Sequence, residues 1–275
     1  MSKLIELDKL KNEINLEVNG VENIPKDYPS VIISNHNRLL DIIYLPFAFD
    51  REIISLVSAR LVYKKDLDRL EQLNKYLNAF PIEAHGGSRY AELGLYNSSK
   101  FLEEGLDVSI FPEGAYIDDT KHVYKGRTGA ARILFQSIEN IGFAYLLPVS
   151  IDVKSNTDLD NYIPSYEDEV TININEPIIP DLYYREYSKT NDFNEKKEIL
   201  HEITDEGMKV IASSLGREYV DEYIKLRPKG NVIFSDGQTI LTEDAQRDNL
   251  IKKYNKDLKK LRLTLTKNIS CITKN

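Results

Sequence analysis

His36 and Asp41 stand five residues apart in Ser34-Asn35-His36-Asn37-Arg38-Leu39-Leu40-Asp41, directly after the apolar run Val31-Ile32-Ile33. A histidine can take a proton from a hydroxyl, and a carboxylate across a strand-to-helix turn can hold the imidazole in one tautomer and stabilise the imidazolium that forms. About 75 residues later Phe111-Pro112-Glu113-Gly114 follows another short apolar run. Two such clusters, each at the end of a strand, point to acyl transfer. That reaction needs a base for the attacking hydroxyl or amine, stabilisation of a tetrahedral oxyanion, and a dry apolar slot for the chain.

These residues must be positioned by the elements around them. Residues 14–18 and 31–34 alternate or run apolar with β-branched side chains and are predicted as the first two strands, with the turn-rich residues 19–30 between them. Asp41 is predicted to open a helix to about residue 49. Residues 53–57, 79–82, 108–111 and 145–149 are further short apolar runs, separated by helical patterns over 67–77, 89–104 and 128–138. Short buried strands alternating with helices predict an α/β fold, a largely parallel or mixed sheet flanked by helices. Function then belongs at the carboxyl ends of the strands, where His36 and Glu113 both fall. Residues 170–174 alternate as a half-buried edge strand would. Residues 191–226 read as one or two amphipathic helices with Ile199, Ile203, Met208, Ile211 and Leu215 on the apolar face. Residues 225–244, which contain Pro228, Gly230 and Gly237, read as a connector, and a basic helix is predicted from about 243 to 263. The expected organisation is a domain over 1–226 and a C-terminal helical extension, connector and basic amphipathic helix, over 227–275. No internal repeat or low-complexity tract is present.

The 275 residues can bury a sizeable core. The single cysteine, Cys271, excludes an internal disulfide, and the N-terminal residues 3–13 are charged without an apolar secretory core, so a reducing cytoplasm is the expected compartment. No apolar stretch approaches the ~20 residues of a bilayer span; residues 42–49 and 144–149 come nearest. Contact with lipid is therefore expected from the surface, as peripheral attachment to the inner face of a membrane. A net charge of −8 argues against a nucleic-acid partner. The charge is uneven: residues 250–275 hold eight Lys or Arg against Asp257 alone, which leaves about −15 on the remainder. In the basic helix Leu250, Ile251, Tyr254, Leu258 and Leu261 recur at helical spacing, and Lys252, Lys253, Lys256, Lys259, Lys260 and Arg262 take much of the other surface. That pattern suits an anionic surface, either membrane lipid or an acidic acyl carrier protein.

At its motifs the sequence resembles the PlsC-like acyltransferases, the family of glycerol-phosphate and lysophosphatidic acid acyltransferases. The resemblance runs from about residue 14 to 181. It rests on Asn35-His36 to Asp41, Ala79-Phe80-Pro81-Ile82, Phe111-Pro112-Glu113-Gly114, Lys125-Gly126 to Gly129-Ala130-Ala131, Leu147-Pro148-Val149 and Asn175-Glu176-Pro177-Ile178, in the family's order. It implies the PlsC-like fold and an enzyme that moves a fatty acyl group from acyl-CoA or acyl carrier protein to the hydroxyl of a lipid acceptor of lysophospholipid type. The acceptor would attack directly, without a Ser or Cys nucleophile, and neither a metal nor a cofactor beyond the donor is expected. His36 is then the base and Asp41 its orienting partner. Asn35 would fix the loop, Glu113 would help bind the acceptor, and Gly114 would let the backbone pass close to substrate.

Two places depart from the family. Arginines that usually follow the second and third motifs, and that clamp the acceptor's phosphate there, are replaced by Glu83-Ala84 and Ala115-Tyr116. A glycerol-phosphate acceptor is disfavoured accordingly, and Tyr116 suggests a less anionic or bulkier one. Arg38, Arg89, Lys125 and Arg127 fall near the motifs and are candidate substrate-binding cations, with backbone N–H groups of Gly86-Gly87-Ser88 as a further donor set. Ile42, Leu45, Phe47, Phe80, Ile82 and Phe111 are candidates for the acyl slot. The alternatives are the same chemistry on a non-phosphorylated hydroxyl or amine, a non-catalytic lipid-binding protein, and a thioesterase in which water replaces the acceptor.

Overall fold

Ser30–Ser34 is buried at every position, as a β-branched run covered on both faces must be, and it forms the middle of the sheet. The computed structural model describes residues 8–58, 77–82, 89–116, 119–154 and 167–224, all within one compact unit that ends at Ile224. The predicted helix at 67–77, apart from Leu77, and the C-terminal connector and basic helix lie outside the described residues. So does the Glu83-Ala84 position.

The strands are β1 (Asn15–Asn19), β2 (Ser30–Ser34), β3 (Ile53–Ser58), β4 (Asn78–Ile82), β5 (Asp107–Ile110), β6 (His122–Tyr124), β7 (Tyr145–Lys154), β8 (Glu169–Ile174) and β9 (Glu218–Val220). The helices are α1 (Asp41–Tyr44), α2 (Arg89–Glu103), α3 (Gly129–Ile141), α4 (Asp181–Lys189) and α5 (Phe193–Leu215). Seven strands make one mixed sheet in the order β1-β8-β7-β2-β5-β3-β4. The block from β7 to β4 is parallel throughout; β8 pairs antiparallel with β7, and β1 runs parallel to β8. β6 and β9 pair separately.

One face of the sheet is covered by α3 and α5. In α3, Ala130, Ala131, Ile133, Leu134, Phe135 and Ile138 are buried, a stripe at helical spacing. α5 begins at Asp192, whose carboxylate accepts from Asn194 N at 2.8 Å and Glu195 N at 3.0 Å. It buries Ile199, Ile203, Met208 and Ile211 as the periodicity predicts. Gly207 brings its backbone hard against β2: a Cβ there would stand 2.3 Å from Ile33 Cδ1. The other face is packed by α1 and the 3-10 turn after it, where Ile42, Ile43, Tyr44, Leu45 and Phe47 meet Ile32, Leu147 and Val149. The Tyr44 hydroxyl donates to buried Asp168 across that layer.

The structure corrects several element boundaries. The helix expected over 41–49 is α-helical only to Tyr44, because Pro46 lacks an N–H and the chain tightens into a 3-10 turn, Leu45–Ala48. β8 lies between β1 and β7 and is not an edge; its alternation reflects one buried face. The helix expected within 191–226 stops at Leu215, and β9 follows. No helix among the described residues is long and apolar enough to cross a membrane.

Candidate active site

β2 and β5 are parallel neighbours, so the turns leaving their carboxyl ends meet, and those turns carry His36 and Glu113. Asn35 locks the first turn to the sheet. Its carboxamide pairs in both senses with the backbone of Ile151 on β7, Nδ2 donating to the carbonyl at 2.8 Å and Oδ1 accepting from N at 2.9 Å. The amide thus acts as one extra rung of the sheet beyond Ser34.

His36 follows. Its Nδ1 lies 3.1 Å from Asp41 Oδ2, and its ring stacks on Phe111 at 4.1 Å between centroids with 17° between planes. Tyr116 approaches edge-on at 5.4 Å. Since a carboxylate oxygen only accepts, Nδ1 carries the proton in the neutral ring and Nε2 keeps the lone pair for a substrate. Asp41 is almost wholly buried. The same Oδ2 accepts from Asn37 N at 2.7 Å and Arg38 N at 2.8 Å, the residues before it. It therefore does not cap the helix it opens, and no side chain does. Asp41 ties the turn shut and grips the imidazole with one oxygen.

Glu113, 3% exposed, closes the site from the β5 side. Oε2 accepts from His36 N at 2.8 Å and Oε1 from Tyr124 N at 3.0 Å. Gly114 makes the turn possible with a φ of 75°, and a Cβ there would stand 2.9 Å from Arg127 Nε. Burial pushes the Glu113 carboxyl up to about 7; the two N–H donors and Arg217 pull it down, while Asp41 adds to the rise. Activity is expected to fall as pH drops through about 7, because a protonated Glu113 turns an O–H donor toward a backbone N–H. Stability runs the other way. A raised carboxyl stabilises the fold fully below its unfolded value and loses that contribution as pH rises through its folded value. The parent should therefore gain Tm relative to Glu113→Gln on going from pH 8 to pH 5, while its own turnover declines. A parallel decline of both would contradict this reading of Glu113.

The cations distribute unevenly. Arg127 lies on Gly114, with its backbone N donating to Pro112 O at 2.7 Å and its guanidinium over the Tyr223 ring. Lys125 Nζ is turned to Asp221 at 2.6 Å and Asp205 at 3.3 Å, and Asp221 above all raises its affinity for the proton. Arg38 contributes its backbone N–H to Asp41. Arg89 opens α2, and its side chain lies outside the description. Of the acyl-slot candidates, Ile42, Leu45, Phe47 and Phe80 are buried in the core, and Phe111 carries the histidine.

Four residues outside the predicted set also build the site. Asn37 accepts from Asn35 Nδ2 at 2.8 Å and from Arg217 Nη1 at 2.7 Å, and donates to the Asp119 carbonyl at 2.8 Å. Burial opposes ionisation of Asp119, yet the Lys121 and His122 N–H groups, the Tyr124 hydroxyl and the His122 ring hold its carboxyl down at about 2. Tyr124 supplies the N–H to Glu113. Sequence spacing carries no sign of Arg217, which arrives from 180 residues away.

A half-buried histidine paired with a buried aspartate, beside a buried glutamate at the adjacent strand end of an α/β sheet, can deprotonate a hydroxyl held over Nε2. Residues 15–152 match the model of the family described as Acyltransferase, half of the chain, and the chain belongs to that family. It is an acyltransferase. Among solved structures it is similar to the 1-acyl-sn-glycerophosphate (LPA) acyltransferase PlsC from Thermotoga maritima, with 19% identity and a TM-score of 0.47 over 76% of this chain and 79% of that one. No curated protein matches the sequence.

Proposed function

We propose that this acyltransferase moves a fatty acyl group from the thioester of acyl-CoA or acyl carrier protein to the hydroxyl of a lysophospholipid-type acceptor. The observation that carries the reading is the His36 ring held by Asp41 through Nδ1 while Glu113 holds the backbone of the same residue. His36 Nε2 takes the hydroxyl proton as the oxygen attacks the thioester carbonyl. The C–S bond then breaks, and the imidazolium returns the proton to the departing thiolate, giving an ester and a free thiol. Asn35 and Gly114 hold the two turns, Glu113 positions the acceptor's site and the base together, and Arg127, which lies on Gly114, supplies positive charge toward an anionic headgroup. A lipid acceptor is supported by the resemblance of the motifs Asn35-His36 to Asp41 and Phe111 to Gly114 to those of the glycerol-phosphate and lysophosphatidic acid acyltransferases. The test is release of free thiol from oleoyl-CoA. It should require an added lysolipid; release with water alone would make the protein a thioesterase.

A second reading, a neutral acceptor, is favoured by one observation. Tyr116, where the family resemblance implies an arginine, sets its ring against His36. A phosphate brought there without paired donors is costly. Lysophosphatidic acid and glycerol phosphate should therefore be poorer acceptors than a neutral or larger lysolipid, and Tyr116→Arg should raise the ratio of lysophosphatidic acid to neutral lysolipid turnover about tenfold. An unchanged ratio would remove Tyr116 from acceptor selection.

The same reading places the enzyme at an anionic surface, supported by the basic residues between 250 and 275. Basic residues near an anionic membrane contribute about 1 kcal/mol each. Replacing Lys252, Lys253, Lys256 and Lys259 with glutamine is expected to reduce sedimentation with anionic vesicles at low salt and to leave turnover of a short soluble acyl-CoA unchanged. Sedimentation equal to the parent's would remove recruitment from the proposal.

A further inference from the structure

We infer that Arg217 is a positioning residue for the catalytic loop: its guanidinium fork ties the Asn37 carboxamide to Asp152 on β7 and so fixes the backbone that aims His36. The inference rests on the reading of His36 as the base. Nη1 donates to Asn37 Oδ1 at 2.7 Å and Nη2 to Asp152 Oδ1 at 2.6 Å, and the side chain is 7% exposed. A planar fork can span two acceptors at once, which a lysine ammonium on its flexible stem does less well.

Asn37 is the right residue to hold. Its backbone N donates to the Asp41 oxygen that grips His36, its Nδ2 reaches the Asp119 carbonyl, and its Oδ1 takes Asn35 Nδ2 beside Arg217. Both lone pairs of that oxygen are thus used, one by the sheet-locking Asn35 and one by Arg217. Without Arg217 the carboxamide loses its tether to Asp152, and the loop carrying His36 and the Asp41 turn gains freedom.

The clamp is itself placed with care. α5 ends at Gly216 with φ 63°, and Arg217 N turns back to Ala212 O at 2.9 Å. The next residues pair as β9 with β6, whose Tyr124 N–H feeds Glu113. Thus one short segment, outside the family match that ends at residue 152, supports the loop of His36 directly and the bond to Glu113 through β6. Arg217 also faces Glu113 electrostatically, together with Asp41 and the His36 and Tyr124 N–H groups. Its charge keeps Glu113 ionised to lower pH.

Arg217→Ala, Arg217→Lys and Asp152→Asn are compared using oleoyl-CoA with lysophosphatidylcholine and lysophosphatidic acid as probes. Arg217→Ala is expected to lower kcat about 10- to 100-fold with the KM for oleoyl-CoA little changed, and to move the acid limb of the pH profile upward. Arg217→Lys should restore the position of that limb but only part of kcat. Asp152→Asn should give a smaller loss in the same direction. A role confined to stability would move Tm and leave the limb in place. In parallel, the Nδ1 proton of His36 is followed by NMR in 15N-histidine protein, and it should shift or broaden in Arg217→Ala. If the parent turns over neither probe pair, the general-base reading has failed, and the NMR signal still decides Arg217. Variants that fold, with parental kcat, pH limb and His36 resonance, overturn the inference. If Arg217→Ala does not fold, the lysine and Asp152→Asn variants decide it by the same criteria.

Discussion

Purified His36→Ala is expected to retain no more than about one thousandth of the parent's kcat, with its secondary structure and Tm close to the parent's. The imidazole, between Phe111 and Tyr116, supplies the nitrogen that accepts the acceptor's proton in this reading. Without it a lipid hydroxyl, with its proton retained, is a poor nucleophile toward a thioester. The fold should survive because the bonds that hold the turn do not pass through the ring: Glu113 reaches the His36 backbone N, and Asp41 reaches Asn37 N and Arg38 N. Turnover by the variant within tenfold of the parent's, in a preparation free of host acyltransferase, would assign the base elsewhere.

Asp41→Asn is expected to cost about 10²- to 10³-fold in kcat while leaving the turn closed. All three donors, His36 Nδ1, Asn37 N and Arg38 N, converge on one carboxylate oxygen. The two backbone N–H groups demand an acceptor at that place, so an asparagine must present its carbonyl oxygen there and keep Nδ1 protonated. What it removes is the negative charge that stabilises the imidazolium. The loss should therefore appear in kcat, with KM for the donor nearly unchanged. Asp41→Ala would in addition take the shared acceptor from two partly buried N–H groups, at a cost of ~1–3 kcal/mol each, and its Tm should fall clearly below that of the asparagine variant. An asparagine variant with parental kcat would mean that orientation alone is what Asp41 supplies.

The placement of the site was legible in the sequence because its physics is local. Val31-Ile32-Ile33 and Val108-Ser109-Ile110 are buried strands whose polar continuations must emerge at one sheet end, and a parallel pairing brings His36 and Glu113 together. What Glu113 holds was not legible. Its partners are backbone N–H groups, His36's and Tyr124's, which no residue type advertises. Pro46 was visible, and its effect on the helix after Asp41 was missed because the apolar run through Phe49 suits either helix type. β8 alternates like an edge strand because one of its faces is buried, whereas its place between β1 and β7 depends on β1 crossing over to its far side. Arg217 could not be found at all: a contact 180 residues apart leaves no period, and an arginine after a helix-ending glycine reads as a solvated charge.

In the proposed reaction the acceptor attacks the thioester directly, with no acyl group passing through the protein. The most direct test is a rapid-quench reaction of the parent with labelled oleoyl-CoA and a lysolipid, in which products and the intact protein mass are followed together. The label should pass from thioester to acceptor ester at the rate of thiol release, with the protein mass unchanged at every time point and no build-up of free fatty acid. An oleoyl adduct on the protein that forms and decays as fast as turnover would contradict the account, and so would label released only as free acid.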